Sequence, residues 1–383
     1  MSTQTHHTYQ PRVIERSHLQ ALFDALARRG HRLLGPTVRN GGIVYDDIQR
    51  VEDLPLGWTD HQEGGTYRLT HTGTAAVFGY VVGQGSWKKY LHLPTATLWE
   101  AERSAEGFRT APAAEPPPRR AFIGVRPCEL AAIAIQDKVF TAGPYADPLY
   151  RRQRENLFLV AVNCTRPGGT CFCGSMGTGP EARSGYDIVL TELSANGRHV
   201  FIAEAGTVEG EAVLAELAAP PAGESDRQEA ARATADAAHH MGRQLDTDGL
   251  KARMEKAVEH PHWAEIAARC LTCGNCTMVC PTCFCTTVED WTALGGEKAQ
   301  RVRKWDSCFT VDFSYIFGGS IRPSPYSRYR QWMTHKLASW VDQFGTFGCV
   351  GCGRCITWCP VGIDITEEAR VFAHSLQRAE AHT

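Results

Sequence analysis

A short cysteine motif occurs twice in the last third of the chain, and it constrains the fold more than any other feature. Both copies have the spacing C-x₂-C-x₂-C-x₃-C-P. The first copy comprises Cys270, Cys273, Cys276, Cys280 and Pro281, and the second comprises Cys349, Cys352, Cys355, Cys359 and Pro360. Glycines such as Gly274, Gly351 and Gly353 let the backbone fold tightly between the cysteines. The spacing therefore predicts that three thiolates of each copy face one compact site.

This spacing is that of bacterial ferredoxins, whose cysteines bind [4Fe–4S] clusters. In two-cluster proteins, the fourth cysteine of each run ligates the other cluster. We therefore predict that cluster 1 is bound by Cys270, Cys273, Cys276 and Cys359, and cluster 2 by Cys349, Cys352, Cys355 and Cys280. A pair of zinc sites is the alternative. Zinc usually takes two C-x₂-C pairs, so a triplet followed by C-x₃-C-P favours iron–sulfur clusters.

The two copies are unusually far apart for a ferredoxin-like module. A segment of 68 residues separates Cys280 from Cys349. One interpretation is that this segment forms helices that hold the two loops together. The other is that Cys283 or Cys285 replaces Cys280 as the remote ligand of cluster 2. The sequence leaves both interpretations open.

Four further cysteines lie in the N-terminal half of the chain: Cys128, Cys164, Cys171 and Cys173. Cys128 follows the predicted strand AFIGVRP, Cys164 follows the predicted strand NLFLVAVN, and the other two lie in a glycine-rich loop. Four thiolates that converge from two strand ends and a loop suit a third iron–sulfur cluster or zinc. Buried structural cysteines are the alternative, since free cysteine is among the most buried residue types. The glycine-rich setting favours ligation.

Cys283, Cys285 and Cys308 complete the set of 15 cysteines. With another ligand such as Asp306, these three could hold one more cluster. The interpretation that we favour from the sequence is that they line the core beside the ferredoxin-like module.

The order of predicted elements indicates an α+β protein. The length of 383 residues suggests two or three domains. Strands and helices alternate over residues 1–219, which is typical of a mixed α/β domain, with the proline-rich Ala111–Arg120 as an extended surface connection. Residues 220–250 are predicted to be a polar linker with an exposed helix. Residues 251–383 are predicted to be a mostly helical domain that carries the bacterial-ferredoxin-like dicluster module.

Several local elements follow from residue patterns. Apolar residues at helical spacing predict a helix over His18–Arg29 that ends at Gly30. Asn40-Gly41-Gly42 and Asn196-Gly197 predict hairpin turns. The apolar run Thr74–Val82 is predicted as a strand.

Composition and missing motifs exclude several function classes. The net charge of −2 does not favour nucleic acid or an anionic membrane as a partner. No apolar run is long enough to span a membrane, and no secretory signal is visible, so a reducing cytoplasm is expected. In that compartment, many cysteines more often indicate metal binding than disulfides.

No dinucleotide or phosphate-binding motif is present, so this chain is expected to bind neither flavin nor nucleotide. Gly83-Gln-Gly85 lacks the third glycine of the dinucleotide fingerprint. No catalytic residue is assigned. Clusters without a substrate site predict a non-catalytic chain that relays electrons between partner proteins.

Six segments together resemble one protein family: VRPCELAAI, DPLYRRQREN, CFCGSMGTGP, RCLTCGNCTMVCPTCFC, RKWDSC and CVGCGRCITWCPVGIDI. The family contains the β subunits of cytoplasmic sulfhydrogenases, which are group 3b [NiFe]-hydrogenases, and the iron–sulfur electron-transfer subunits of anaerobic sulfite reductases. The resemblance covers about residues 18 to 370. The ferredoxin motifs alone are widespread, whereas this combination is far more specific.

The resemblance implies an iron–sulfur subunit in the middle of a multi-subunit complex. A flavin-bearing subunit that oxidises NAD(P)H would lie at one end. The small and large [NiFe]-hydrogenase subunits, or a sirohaem sulfite reductase subunit, would lie at the other, and the resemblance favours the hydrogenase. Two alternatives of other classes are persulfide chemistry at Cys283 or Cys285, and a zinc-stabilised scaffold.

Overall fold

A computed structural model describes residues 9–111, 117–195 and 197–380. The strands are β1 (Arg12–Glu15), β2 (Arg32–Arg39), β3 (Gly42–Asp47), β4 (Trp58–Glu63), β5 (Thr66–His71), β6 (Thr95–Ser104), β7 (Gly107–Ala111), β8 (Arg120–Val125), β9 (Leu157–Val162), β10 (Ile188–Ala195), β11 (Arg198–Ala205), β12 (Thr286–Thr292), β13 (Lys298–Trp305), β14 (Tyr315–Ile316) and β15 (Gly319–Ser320). The mixture of these strands with helices confirms the α+β class.

The helices are α1 (Leu19–Arg28), α2 (Lys88–Leu91), α3 (Pro127–Thr141), α4 (Pro148–Glu155), α5 (Val208–Glu216), α6 (Glu224–His239), α7 (Leu250–Lys256), α8 (His262–Arg269), α9 (Asn275–Met278), α10 (Pro325–Thr334), α11 (Trp340–Phe344), α12 (Arg354–Thr357) and α13 (Ile365–Glu380). A π-helical turn, His335–Ser339, joins α10 to α11. Three 3₁₀ turns are Arg16–His18, Val51–Asp53 and Asp312–Ser314. Among the described residues, no helix is long and apolar enough to cross a bilayer.

Seven of the described strands form one mixed sheet in the order β1-β11-β10-β9-β8-β2-β3. The central pairings β2–β8, β8–β9 and β9–β10 are parallel, and the outer pairings are antiparallel. Strands β8 and β9 are almost entirely buried, as expected for parallel strands covered on both faces. Both lie where the sequence predicts them. Because their carboxyl ends meet at one edge of the sheet, they bring Cys128 and Cys164 to the same side.

The local predictions at the N-terminus are confirmed. Helix α1 buries Leu22 and Leu26, and the chain leaves it at Gly30, where φ is +81°. Strands β2 and β3 form the predicted hairpin, with Asn40 and Gly41 at positive φ in the turn. Strands β10 and β11 form the second predicted hairpin. Of its two turn residues, Asn196 lies outside the described residues.

The strand predicted over Thr74–Val82 is wrong. This segment is an irregular loop, although Val77 and Phe78 are buried in the main core as their hydrophobicity suggests. Its backbone donors bond to side chains rather than to a neighbouring strand. The Glu192 carboxylate accepts from the Val77 and Phe78 N–H groups at 2.6 and 2.8 Å, and Asp60 accepts from Val81 N at 2.6 Å. Buried carboxylates therefore satisfy a segment whose composition is typical of a strand.

A four-stranded antiparallel sheet joins the two halves of the chain, in the order β12-β13-β6-β7. Strands β12 and β13 come from the segment between the two cysteine motifs, so that segment contains a hairpin as well as helices. The sheet therefore crosses the domain boundaries predicted around residues 220–250. Part of the proline-rich Ala111–Arg120, namely residues 112–116, lies outside the described residues.

Candidate iron–sulfur sites

The two motif copies fold in the same way. Each forms an open loop that reaches a glycine with left-handed backbone, Gly274 or Gly353, both at φ +75°. A single helical turn then follows, α9 or α12, and these two helices pack against each other. A left-handed residue is cheap only as glycine, so the glycines identified in the motifs fix the loop shape.

Backbone amides in these loops point at cysteine sulfurs. Thr272 N donates to Cys270 Sγ at 3.4 Å, and Gly351 N donates to Cys349 Sγ at the same distance. Ile363 N lies 3.3 Å from Cys359 Sγ. Such N–H···S bonds stabilise negatively charged thiolate ligands, and they are among the features that set cluster potentials.

The first cysteine cavity encloses about 390 Å³ of empty space. Four cysteines line it: Cys270, Cys273, Cys276 and Cys359, the set predicted for cluster 1. Phe309, Tyr329 and Ile363 supply apolar walls. Cys273 is exposed to solvent, so this cavity lies near the protein surface.

The second cysteine cavity encloses about 310 Å³. It is lined by Cys280, Cys349, Cys352 and Cys355, the set predicted for cluster 2. Cys280 therefore reaches the cavity of the other motif, although 68 residues separate it from Cys349. Phe172 and Ile365 close its walls, and Lys336 faces it.

The third cysteine cavity encloses about 420 Å³ in the N-terminal half. It is lined by Cys128, Cys164, Cys171 and Cys173, the four N-terminal cysteines. The strand ends of β8 and β9 and the glycine-rich loop thus converge as the sequence predicts. Arg126, Met241 and Arg354 complete the walls.

Neighbouring cavities share a cysteine. Cys355 lines both the first and the second cavity, and Cys352 lines both the second and the third. The loop of Phe172 packs directly on the second motif, because Phe172 N donates to Gly351 O at 2.8 Å. The three cavities therefore lie in series, with the second one in the middle.

Comparison with known proteins agrees with this geometry. Residues 269–363 match the family of 4Fe-4S dicluster domains, and this range contains all eight motif cysteines. The chain is also 35% identical over 246 residues to sulfhydrogenase 2 subunit beta of Pyrococcus furiosus. The matched region is 63% of this chain and 71% of that protein.

The chain belongs to the sulfhydrogenase β-subunit family. The resemblance indicated by the sequence motifs is thereby confirmed. Together with the dicluster match, membership shows an iron–sulfur electron-transfer subunit with [4Fe–4S] clusters.

The donor sets suit clusters better than single ions. Among the described residues, no three Cys, His, Asp or Glu side chains converge closely enough to hold one metal ion. In each cavity four thiols instead surround a larger space, as the separate irons of a cubane require. Burial raises the pKa of Cys171 and of Cys349 to about 12. A bare thiol there would stay protonated, whereas bound iron replaces the proton and removes that cost.

Buried cations face the cysteine cavities. Arg126 Nη1 lies 3.8 Å from Cys164 Sγ in the third cavity. Arg354, between the second and third cavities, pairs with the buried carboxylate of Glu129. In the second cavity, Lys336 Nζ donates to Cys280 Sγ at 3.1 Å. These cations offset the negative charge that four thiolates bring to a cluster.

Cys280 differs from the other motif cysteines in its electrostatics. A hydrogen bond from the Cys283 thiol and the ammonium of Lys336 hold the pKa of Cys280 well below its usual range. Among the described contacts of Lys336 Nζ are also Thr282 Oγ1 at 3.0 Å and Gly348 O at 2.8 Å. The thiolate of Cys280 is therefore stabilised before any metal is considered.

The three remaining cysteines do not line the cysteine cavities. Cys283 contacts Cys280, while the thiols of Cys285 and Cys308 hydrogen-bond to each other. Cys308 packs against the same apolar core as Cys270, in line with the predicted position beside the ferredoxin-like module. Asp306 caps its own loop instead, because its carboxylate accepts from Ser307 N at 2.6 Å.

Sequence reasoning missed the buried cations. Lys336 had one detectable signal, since it lies on the apolar face of its helix among Trp332, Leu337 and Trp340. A lysine at such a position needs a partner in the interior. No pattern in the sequence indicated Arg126, which contacts Cys164 only through the pairing of two strands.

Proposed function

We propose that this chain relays electrons through three [4Fe–4S] clusters, one in each cysteine cavity. The observation that carries the proposal is the serial arrangement in which Cys355 and Cys352 each border two cavities. Clusters held by such neighbours would lie within a few side-chain lengths of each other. The chain then offers a continuous route from the exposed first cavity to the third.

The ligand sets follow from the cavity walls. Cluster 1 is assigned to Cys270, Cys273, Cys276 and Cys359. Cluster 2 is assigned to Cys349, Cys352, Cys355 and Cys280, which favours Cys280 over Cys283 or Cys285 as the remote ligand. Cluster 3 is assigned to Cys128, Cys164, Cys171 and Cys173. Each cluster supplies a one-electron carrier, and the protein positions it and excludes water.

The proposed partners are those of a hydrogenase complex. A flavin-bearing subunit would oxidise or reduce NAD(P)H at one end of the relay, and a pair of small and large [NiFe] subunits would lie at the other. The name of the Pyrococcus relative, a sulfhydrogenase subunit, supports this choice over a sirohaem sulfite reductase subunit. Identifying the subunits that co-purify with the chain distinguishes the two partners directly.

Iron analysis tests the number of clusters. The chain, purified without oxygen together with its co-purifying subunits, should bring about twelve irons of its own, as three four-iron clusters require. Cys128→Ser should remove about four of these irons because it deletes a ligand of the third cavity. Cys283→Ser is the matched control, since Cys283 lines none of the three cavities. Unchanged iron in Cys128→Ser would reject the third cluster.

A further inference from the structure

Cys285 and Cys308 are brought together by the β12–β13 hairpin. Thr286 pairs with Trp305, and Asp306 N donates to Cys285 O at 2.9 Å, so the pairing continues one residue beyond the strands. Cys308 follows directly after this point. The two thiols hydrogen-bond to each other, and the backbone N–H of Cys308 also donates to the Cys285 sulfur. Backbone pairing, rather than chance side-chain packing, holds the two sulfurs in contact.

We propose that Cys285 and Cys308 form a dithiol–disulfide couple that exchanges two electrons with the neighbouring clusters. Reduction breaks the S–S bond as two electrons arrive one at a time from reduced clusters, and two protons from water complete the thiols. Oxidation forms the S–S bond and returns the two electrons to oxidised clusters and the two protons to water. This inference rests on the proposed relay function.

The position of the pair suits such an exchange. Cys308 packs against the apolar core that also contacts Cys270 and Cys276 of the first cavity. Lys336, whose charge acts on Cys285, donates directly to Cys280 of the second cavity. The couple is therefore next to the ligands of both motif clusters. A two-electron store at this point would connect one-electron carriers to two-electron reactions.

The surroundings also favour thiolate chemistry. The hydrogen bond from Cys308, its backbone amide and the Lys336 ammonium lower the pKa of Cys285 to about 7. A second buried cation, Lys88, lies nearby, with Nζ 3.1 Å from Cys283 O and 3.9 Å from the Trp305 ring. The thiolate is the reactive form in disulfide exchange. Both cysteines are only partly buried, so small reagents can reach them.

The same observations argue against a further metal site here. Cys283, the third unassigned cysteine, is engaged with Cys280 rather than with this pair. No group of three potential ligands among the described residues is arranged around a single ion. Two thiols in mutual contact, with no third ligand beside them, are the arrangement of a disulfide couple.

Thiol trapping tests the couple without the relay. The anaerobic complex is equilibrated with glutathione buffers of graded redox poise, alkylated, and digested for mass spectrometry. We expect Cys285 and Cys308 to appear as one disulfide-linked peptide pair at the oxidising end and as two alkylated cysteines at the reducing end. Alkylation of both cysteines at every poise would overturn the proposal. Because glutathione acts directly on thiols, this result does not depend on electron flow through the clusters.

Electron counting in variants provides the second test. Cys308→Ser and Cys285→Ser should each retain the full iron content, while a reductive titration takes up two electrons fewer per chain. Cys283→Ser is the control and should keep both values. Loss of iron in Cys308→Ser would overturn the proposal, since it would make Cys308 a cluster ligand. Failure of the relay itself would instead show as missing iron in the unmodified chain.

Discussion

Lys336 places a positive charge in the interior beside a proposed cluster ligand. Its ammonium contacts Cys280 Sγ, Thr282 Oγ1 and Gly348 O, and none of these is a carboxylate. Both a nearby positive charge and a hydrogen bond to a ligand sulfur favour the reduced, more negative state of a cluster. Lys336→Met should therefore lower the reduction potential of the cluster in the second cavity. A redox titration followed by electron paramagnetic resonance measures the shift.

The neighbouring buried lysine provides a matched control for this prediction. Lys88 donates to the backbone carbonyl of Cys283 rather than to a sulfur. Lys88→Met should therefore shift the same potential less than Lys336→Met does. Iron content is measured in both variants, so that loss of the cluster is not mistaken for a change in potential. Equal shifts in the two variants would contradict a specific role for the Lys336–Cys280 contact.

The residues that the sequence could predict are those whose partners are close along the chain. The motif cysteines are separated by two or three residues, so their spacing alone indicates a cluster. Lys336 is 56 residues from Cys280, and its contact depends on how α10 and the π-helical turn pack. Spacing cannot encode such a contact, because it is created by tertiary structure.

The same reasoning applies to the elements. Strands β8 and β9 were predictable because continuous apolar runs are typical of buried parallel strands. The loop over Thr74–Val82 has a similar composition, but the remote carboxylate of Glu192 satisfies its backbone. The pairing of β13 with β6 joins residues about 200 positions apart, and no local pattern indicates it.

The contact between the second motif and the glycine-rich loop has little room for change. A Cβ atom added at Gly353 would lie 2.4 Å from Thr170 O, and Gly353 has φ +75°. Gly353→Ala should therefore push away the loop that carries Cys171 and Cys173. The expected result is a loss of iron from the second and third cavities, measured per chain in the purified complex.

Gly345 separates this steric effect from backbone strain. It has φ +69°, but an added Cβ would meet nothing within 4 Å. Gly345→Ala therefore carries only the cost of the left-handed backbone, roughly 1–2 kcal/mol. It should lower the melting temperature slightly and keep its iron. If both variants lose iron to the same extent, the clash with Thr170 is not the cause.

At the scale of the whole molecule, the serial order of the cavities predicts where electrons stop when the middle cluster is removed. The second cavity alone borders both of the others, through Cys355 and Cys352. The double variant Cys280→Ala and Cys349→Ala removes two ligands that line only this cavity. The clusters of the first and third cavities keep their own ligand sets and should remain assembled.

In this double variant, NAD(P)H and hydrogen should each reduce only the terminal cluster on their own side, as seen in separate electron paramagnetic resonance spectra. Reduction of the flavin by NAD(P)H should survive, because it does not pass through this chain, whereas overall transfer from NAD(P)H to protons should be lost. Cys283→Ala is the control that should keep full transfer, since Cys283 lines none of the three cavities. If either reductant still reduced both terminal clusters, the electrons would be passing by a route that avoids the second cavity, and the serial relay would be wrong.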